Sequence, residues 1–193
     1  MDEHLIQPLH LILISGSLRS QSVNGSVIAT LADMVPAGAE AAIYRGIGDL
    51  PHFNPDHDRD PLPEAVADLR AQLRRADAVL VSTPEYAGSM PGSFKNMLDW
   101  TVGGASLYGM PVGWINPSAH GGSQDTYHAL RIVLDRAGAE VVENACVAIA
   151  VPRDAVGATG LIDALDIRTH FGRALEALLT AARKHRAAAE QND

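Results

Sequence analysis

Five short runs in this chain are apolar almost without interruption: Leu9 to Ile14, Ala39 to Tyr44, Ala78 to Ser82, Pro111 to Ile115 and a stretch within Glu140 to Val151. A strand with one wet face alternates apolar with polar residues, so nearly continuous runs rich in Val, Ile and Leu predict strands covered on both faces, as in a parallel sheet. Helical patterns separate them, at Asn24 to Val35, Leu62 to Ala76, Ser89 to Thr101, Gln124 to Ala137 and about Leu161 to Arg183. The second of these puts Leu62, Val66, Leu69 and Leu73 on one stripe, and the last does the same with Leu161, Leu165, Phe171, Leu175, Leu178 and Leu179. Strict alternation of strand and helix implies an α/β fold, a doubly wound five-stranded parallel sheet with helices on both faces. Residues 1–193 are read as one domain, long enough to bury a full core.

Ligands of such sheets bind at the carboxyl ends of the strands. The loops there, after the first, third and fourth runs, are Ser15 to Asn24, Thr83 to Gly92 and Asn116 to Ser123. In the first, Gly16 permits a tight turn, Ser17 and Ser22 offer hydroxyls, Arg19 offers a permanent positive charge, and Asn24 is the expected cap of a helix starting near Gly25. With the helix dipole these groups form a cradle for a phosphate. The second loop holds two prolines, two glycines and an exposed-looking Tyr86, a rigid turn with an aromatic face. In the third, Gly121 and Gly122 allow close backbone approach before the next helix. A phosphate cradle, a stacking loop and a glycine turn on one edge fit a planar ring on a phosphorylated tail, a mononucleotide such as FMN.

Charge and cysteine usage narrow the partners. A formal net charge of -8 argues against nucleic acid, which needs a basic face. No run reaches the roughly 18 apolar residues of a membrane span, and the start MDEHLIQPLH has neither the basic residues nor the apolar stretch of a signal peptide. The expectation is a cytoplasmic protein without membrane contact. Cys146 is the only cysteine, cannot form an internal disulfide, and reads as a small buried hydrophobe.

Gly16-Ser-Leu-Arg-Ser-Gln-Ser-Val-Asn24, with the long segment Pro84-Glu-Tyr-Ala-Gly-Ser-Met-Pro-Gly-Ser-Phe-Lys-Asn-Met-Leu-Asp-Trp100, resembles the NAD(P)H-dependent FMN reductases of the flavodoxin-like superfamily, which include chromate, quinone and azo-dye reductases. The resemblance implies strand order 2-1-3-4-5. It implies that Ser17, Arg19, Ser22, Val23 and Asn24 hold the FMN phosphate, and that Pro84, Glu85, Tyr86, Ala87 and Gly88 border the isoalloxazine. Ser118 and the Gly121-Gly122 turn close its other side, with His120 a candidate neighbour of the ring. Lys95, Asn96 and Asp99 match the motif but are expected to anchor helix and loop. The chain departs from the family pattern at Ala87, where relatives carry Asn, and at Asn116 to His120.

The implied activity is hydride transfer from NADPH or NADH to bound FMN, then electron delivery to free flavin, a quinone or a similar small acceptor by a ping-pong mechanism. The flavin carries the chemistry and no side chain is assigned a catalytic role. The alternative is a flavodoxin-like electron carrier that does not react with nicotinamide. The family also implies a homo-oligomer, dimer or tetramer, for which the helix from Ser89 to Trp100 and the segment Thr101 to Tyr108 offer a surface, with Trp100 a candidate contact. His52, Asp56, His57, Asp58 and Asp60 read as a polar surface loop rather than a metal site, and His128 as a surface residue. The tail Arg183 to Asp193 is expected to fray.

Overall fold

The computed structural model describes residues 7–118 and 122–191. Its strands are β1 Leu9–Ser15, β2 Ala39–Tyr44, β3 Ala78–Ser82, β4 Pro111–Asn116 and β5 Glu140–Ala148. All pair in parallel, in the order β2-β1-β3-β4-β5. The helices α1 Val23–Asp33, α2 Glu64–Arg75, α3 Gly92–Val102, α4 Gln124–Arg136 and α5 Leu165–Glu190 alternate with them. This is the flavodoxin-like α/β arrangement.

Successive strand residues point to opposite faces, so each apolar run feeds two cores. Ile12, Ile14, Val79, Val81 and Val112 pack with Val66, Leu69 and Leu73 of α2, Phe94 and Met97 of α3, and Leu130 and Leu134 of α4. Leu11, Leu13, Leu80 and Ile115 pack with Val27, Ile28 and Leu31 of α1 and with Phe171, Leu175, Leu178 and Leu179 of α5. Burial on both sides is why the runs of β1, β3 and β4 show almost no polar alternation. The edge strands β2 and β5, which pair on one side only, depart from the expected double cover and expose Glu40 and Ala42, and Glu140, Glu143 and Asn144. Between β4 and β5 the register shifts, Val112 facing Val141 and Trp114 facing Cys146, with the Cys146 thiol donating across the irregularity to the Val142 carbonyl at 3.3 Å.

Helix boundaries differ from the sequence expectation where local turns intervene. Ser22, not Asn24, caps α1: the Gly25 amide donates to Ser22 Oγ at 2.8 Å, leaving Asn24 inside the first turn. A hairpin between Tyr86 and Ser89 delays α3 to Gly92. An antiparallel bridge between Val156 and Ile162 delays α5 to Leu165, which takes Leu161 off the helix and leaves Leu165 exposed rather than on the buried stripe.

At the other end α5 continues to Glu190 instead of fraying from Arg183. Arg186 explains this. Its guanidinium donates to both carboxylate oxygens of Asp77 and to the carbonyls of Gln7 and Pro8, stapling the last turns of α5 to the amino ends of β1 and β3.

Candidate functional site

The loops after β1, β3 and β4 meet at the carboxyl edge of the sheet, as the topology requires. In the first, the role of Gly16 is close approach rather than an unusual dihedral angle. A Cβ there would lie 2.1 Å from Thr83 Oγ1 and 2.6 Å from Thr83 Cβ, so any side chain would push the first two loops apart. The Arg19 amide donates to Ser17 Oγ at 3.3 Å, while the Arg19 side chain is exposed and has no partner among the described residues.

Asn24 is 8% exposed; its Oδ1 accepts from Ser82 Oγ at 2.8 Å, which ties α1 to the end of β3. Among the described residues nothing accepts from its Nδ2, and the amides of a helix's first turn have no partner within the helix. Asn24 also lines the cleft at this edge of the sheet, so its Nδ2 and the first amides of α1 are donors available to an acceptor there.

In the second loop, the Tyr86 amide donates to the Ser89 carbonyl at 2.8 Å and the Ser89 amide returns to Tyr86 at 3.2 Å. Ala87 and Gly88 between them have φ of 52° and 76°. Positive φ at both central positions is the geometry of a type I′ turn, which favours Asn-Gly. The turn presents Tyr86 half exposed.

In the third loop, Asn116 Oδ1 accepts from the Ser118 amide at 3.1 Å and its Nδ2 donates to the Gly122 carbonyl at 3.0 Å, closing the loop on itself. Ser123 Oγ donates to Ser118 Oγ at 3.1 Å. His120 and Gly121 lie outside the described residues.

Two side chains lock these loops together. Buried Tyr127 of α4 donates its hydroxyl to the Ile115 carbonyl at 2.7 Å and accepts from the Thr83 amide at 3.1 Å, joining the ends of β3 and β4. Burial raises its pKa, so it remains a neutral donor. Glu85 Oε2 accepts from the Thr126 amide at 3.2 Å. The N-cap of α4, Ser123, is left-handed at φ 63° and makes no side-chain cap bond, so a carboxylate from a different loop serves that helix.

The resulting cleft, of roughly 390 Å³, is lined by Val23, Asn24, Thr83 to Glu85, Pro117, Ser118 and Ser123, and also by Val151, Pro152 and Arg153. Its size lies in the range of small-molecule sites, about 300–1,000 Å³. The unpaired donors of Asn24 and α1, beside an apolar wall and half-exposed Tyr86, fit a phosphorylated planar ligand. Arg19, Ser22 and Val23 line an adjoining cleft of roughly 410 Å³, which Arg153 also borders. Sequence reasoning missed the loop after β5. The same carboxyl-edge rule points to it, and Arg153 directly follows Val151-Pro152.

The other candidates fall elsewhere. Asn96 accepts from the Phe53 amide at 2.7 Å and donates to the Pro51 carbonyl at 2.9 Å, which anchors α3 to the loop before α2, whereas Lys95 and Asp99 pair with each other along α3, at 2.6 Å. Asp58 pairs with the buried Arg70 at 2.7 Å, and Arg70 also donates to the Trp100 carbonyl at 2.9 Å. Trp100 is fully buried, donating its indole N–H to the Pro51 carbonyl at 2.8 Å, and so is not the contact for a second copy that its place near the end of α3 suggested. His128 is exposed. Cys146 is partly buried, and burial pushes its thiol up to about 12, away from nucleophilic use. No helix among the described residues is long and apolar enough to cross a membrane.

Residues 9–152 match the family of NADPH-dependent FMN reductases. The chain is 36% identical to a quinone reductase of Escherichia coli (strain K12) over 134 residues, 66% of this chain and 71% of that protein. It is 38% identical to a 2-hydroxy-1,4-benzoquinone reductase of Burkholderia sp over 109 residues, 55% and 58% of the two chains. Among solved structures, FerB, a flavoenzyme NAD(P)H:(acceptor) oxidoreductase from Paracoccus denitrificans, superposes with a TM-score of 0.80 at 30% identity, covering 92% of this chain and 98% of that one.

Proposed function

The chain belongs to the family of NADPH-dependent FMN reductases, an oxidoreductase that works with FMN and a reduced nicotinamide, and from that premise we propose that it reduces quinones or similar small acceptors, free flavin among them, by a ping-pong cycle. The observation that carries this reading is the cleft at the sheet's carboxyl edge, where unpaired donors at the start of α1 share one lining with Thr83 to Glu85 of the second loop and Pro117 and Ser118 of the third. When bound, FMN supplies hydride acceptance from the nicotinamide and electron delivery to the acceptor. The relatives named for quinone reduction support the acceptor class.

The chain's own residues bind and orient. Ser17, Arg19, Ser22, Val23 and Asn24 hold the phosphate through charge, hydroxyls and the helix terminus. Pro84, Glu85, Tyr86, Ala87 and Gly88 form one wall for the ring, and Ser118 with Gly122 the other, a wall to which His120 and Gly121 also belong in this proposal. Tyr86, half exposed at the rim, leaves room for nicotinamide and acceptor to occupy one face in turn. A single domain working as a homo-oligomer is part of the reading, supported by the exposed Val102 at the end of α3 and Tyr108 after it. A lone cysteine and reductive substrates suit the cytoplasm.

Purified protein reconstituted with FMN is expected to be yellow, to bleach anaerobically on adding NADPH or NADH, and to give parallel lines in a two-substrate steady-state analysis with a benzoquinone. Intersecting lines would remove the ping-pong cycle. Yellow protein that does not bleach would be an electron carrier, and failure to take up FMN would overturn both.

A further inference from the structure

We propose that Arg153 is a second guanidinium of the phosphate site, reaching the FMN phosphate from the loop after β5 while Arg19 reaches it from the loop after β1. The proposal rests on the reading above that the start of α1 holds that phosphate. The family match ends at residue 152, so Arg153 and the loop it leads lie outside the matched segment.

Position is the first ground. The flavin cleft and the adjoining cleft of roughly 410 Å³ share two lining residues, Val23 and Arg153. Val23 opens α1, where the free amides and the positive end of the helix dipole lie. Arg153 therefore stands beside that helix end, at the boundary between the ring's cleft and the cleft that Arg19 lines.

Unmade hydrogen bonds at the same place supply the second ground. Ser22 and Asn24 are each 8% exposed. Ser22 Oγ accepts from the Gly25 amide, which leaves its proton to donate, and Asn24 keeps its Nδ2 unpaired while its Oδ1 is held by Ser82. Donor groups free to reach a ligand at the mouth of the cleft, on residues otherwise held in place and beside a helix start and two guanidiniums, suit an anion.

Charge decides how many cations are needed. A phosphate monoester carries about -1.5 to -2 at pH 7, which one guanidinium does not balance. The chain as a whole is at -8 and repels such a ligand at a distance, so compensation must be local. Arg153 has no acidic partner among the described residues. Asp154 and Asp163 share its loop but line neither cleft, and Asp163 lies against Gly157.

The loop is also held before any ligand arrives. The Ile149 and Val151 amides donate to the carbonyls of Asn116 and Pro117 at 2.9 and 3.0 Å, and the Gly157 amide donates to Leu161 at 2.8 Å. Arg153 thus projects from a backbone fixed on both sides, and little ordering is left for binding to impose.

The test is flavin binding to the apoprotein, read by quenching of flavin fluorescence, with FMN and riboflavin compared. Arg153→Gln is expected to weaken FMN about tenfold or more while leaving riboflavin within about twofold, because only FMN offers the dianion. Arg153→Lys restores part of the loss, and raising the salt narrows the gap between wild type and R153Q. The side chain is exposed, so both apoproteins melt as the wild type does. Unchanged FMN affinity, or equal weakening of FMN and riboflavin, overturns the proposal. So does a raised KM for NADPH at unchanged FMN affinity, which would give Arg153 to the nicotinamide's phosphate. Wild-type protein that binds no FMN overturns the functional reading itself, a distinct result.

Discussion

At the scale of single residues, the left-handed turn at Ala87 is where the site and the chain's local preferences disagree. At φ 52°, with Gly88 at 76°, Ala87 occupies a position that Asn or Gly fills without strain. An L-alanine there costs roughly 1–2 kcal/mol through Cβ contacts. Ala87→Asn is therefore expected to stabilise the protein by about 1 kcal/mol, read as a higher melting temperature with the Tyr86–Ser89 hydrogen bonds retained. A lower melting temperature would mean the turn is held for a different reason. The resemblance identified Ala87 as a departure, but nothing about an alanine announces a positive φ. Asn24 shows the same limit. Its type and position marked it as a capping candidate, yet Ser22 two residues earlier takes the cap and Asn24 turns inward to Ser82, a partner 58 positions away in the chain.

At the scale of elements, the loops of the site are held by neighbours rather than by themselves. Glu85 sits on the β3 loop and caps α4, a helix whose own N-cap residue makes no side-chain bond. Truncating it should cost stability as cap removals do. Glu85→Ala is expected to lower stability by about 1 kcal/mol and to speed hydrogen exchange at the Thr126 amide more than at amides in the middle of α4. Uniform exchange along the helix would place the effect elsewhere. α5 makes the corresponding point about chain ends. Its Ala-rich final turns look free in sequence, but Arg186 fastens them to Asp77 and to the carbonyls of Gln7 and Pro8. Capping and stapling of this kind join residues far apart in the chain, which local patterns do not report.

Across the whole molecule, burial favours neutral forms of groups that ionise at high pH. Burial, with added repulsion from Asp68 and Asp49, raises the Tyr44 hydroxyl to about 12 from an ordinary value near 10. Burial raises Cys146 to about 12 from an ordinary value of about 8.5, and it raises Tyr127 as well. Each folded-state pKa lies above its unfolded counterpart. The stability these groups contribute is thus complete below about pH 8.5 and is lost as pH rises toward 12. Melting temperatures measured from pH 8 to pH 11 should fall steadily. A flat profile over that window would mean that the groups are hydrated in solution.

The uninterrupted apolar runs and the helical stripes determined the class of fold, because a parallel strand buried on both faces can be written in no other pattern. The carboxyl-edge rule then followed from topology, and with it the three loops and most of the cleft. Tertiary structure alone decided which end of a side chain is free. It placed Trp100 wholly in the core, turned Glu85 onto another helix and left the side-chain amide nitrogen of Asn24 unpaired. It also brought Arg153, on a loop the sequence reading passed over, to the start of a helix 130 residues earlier in the chain. Hydrophobic periodicity is a local property and survives in the sequence, whereas the pairing of donors with acceptors depends on which loops the closed sheet sets side by side.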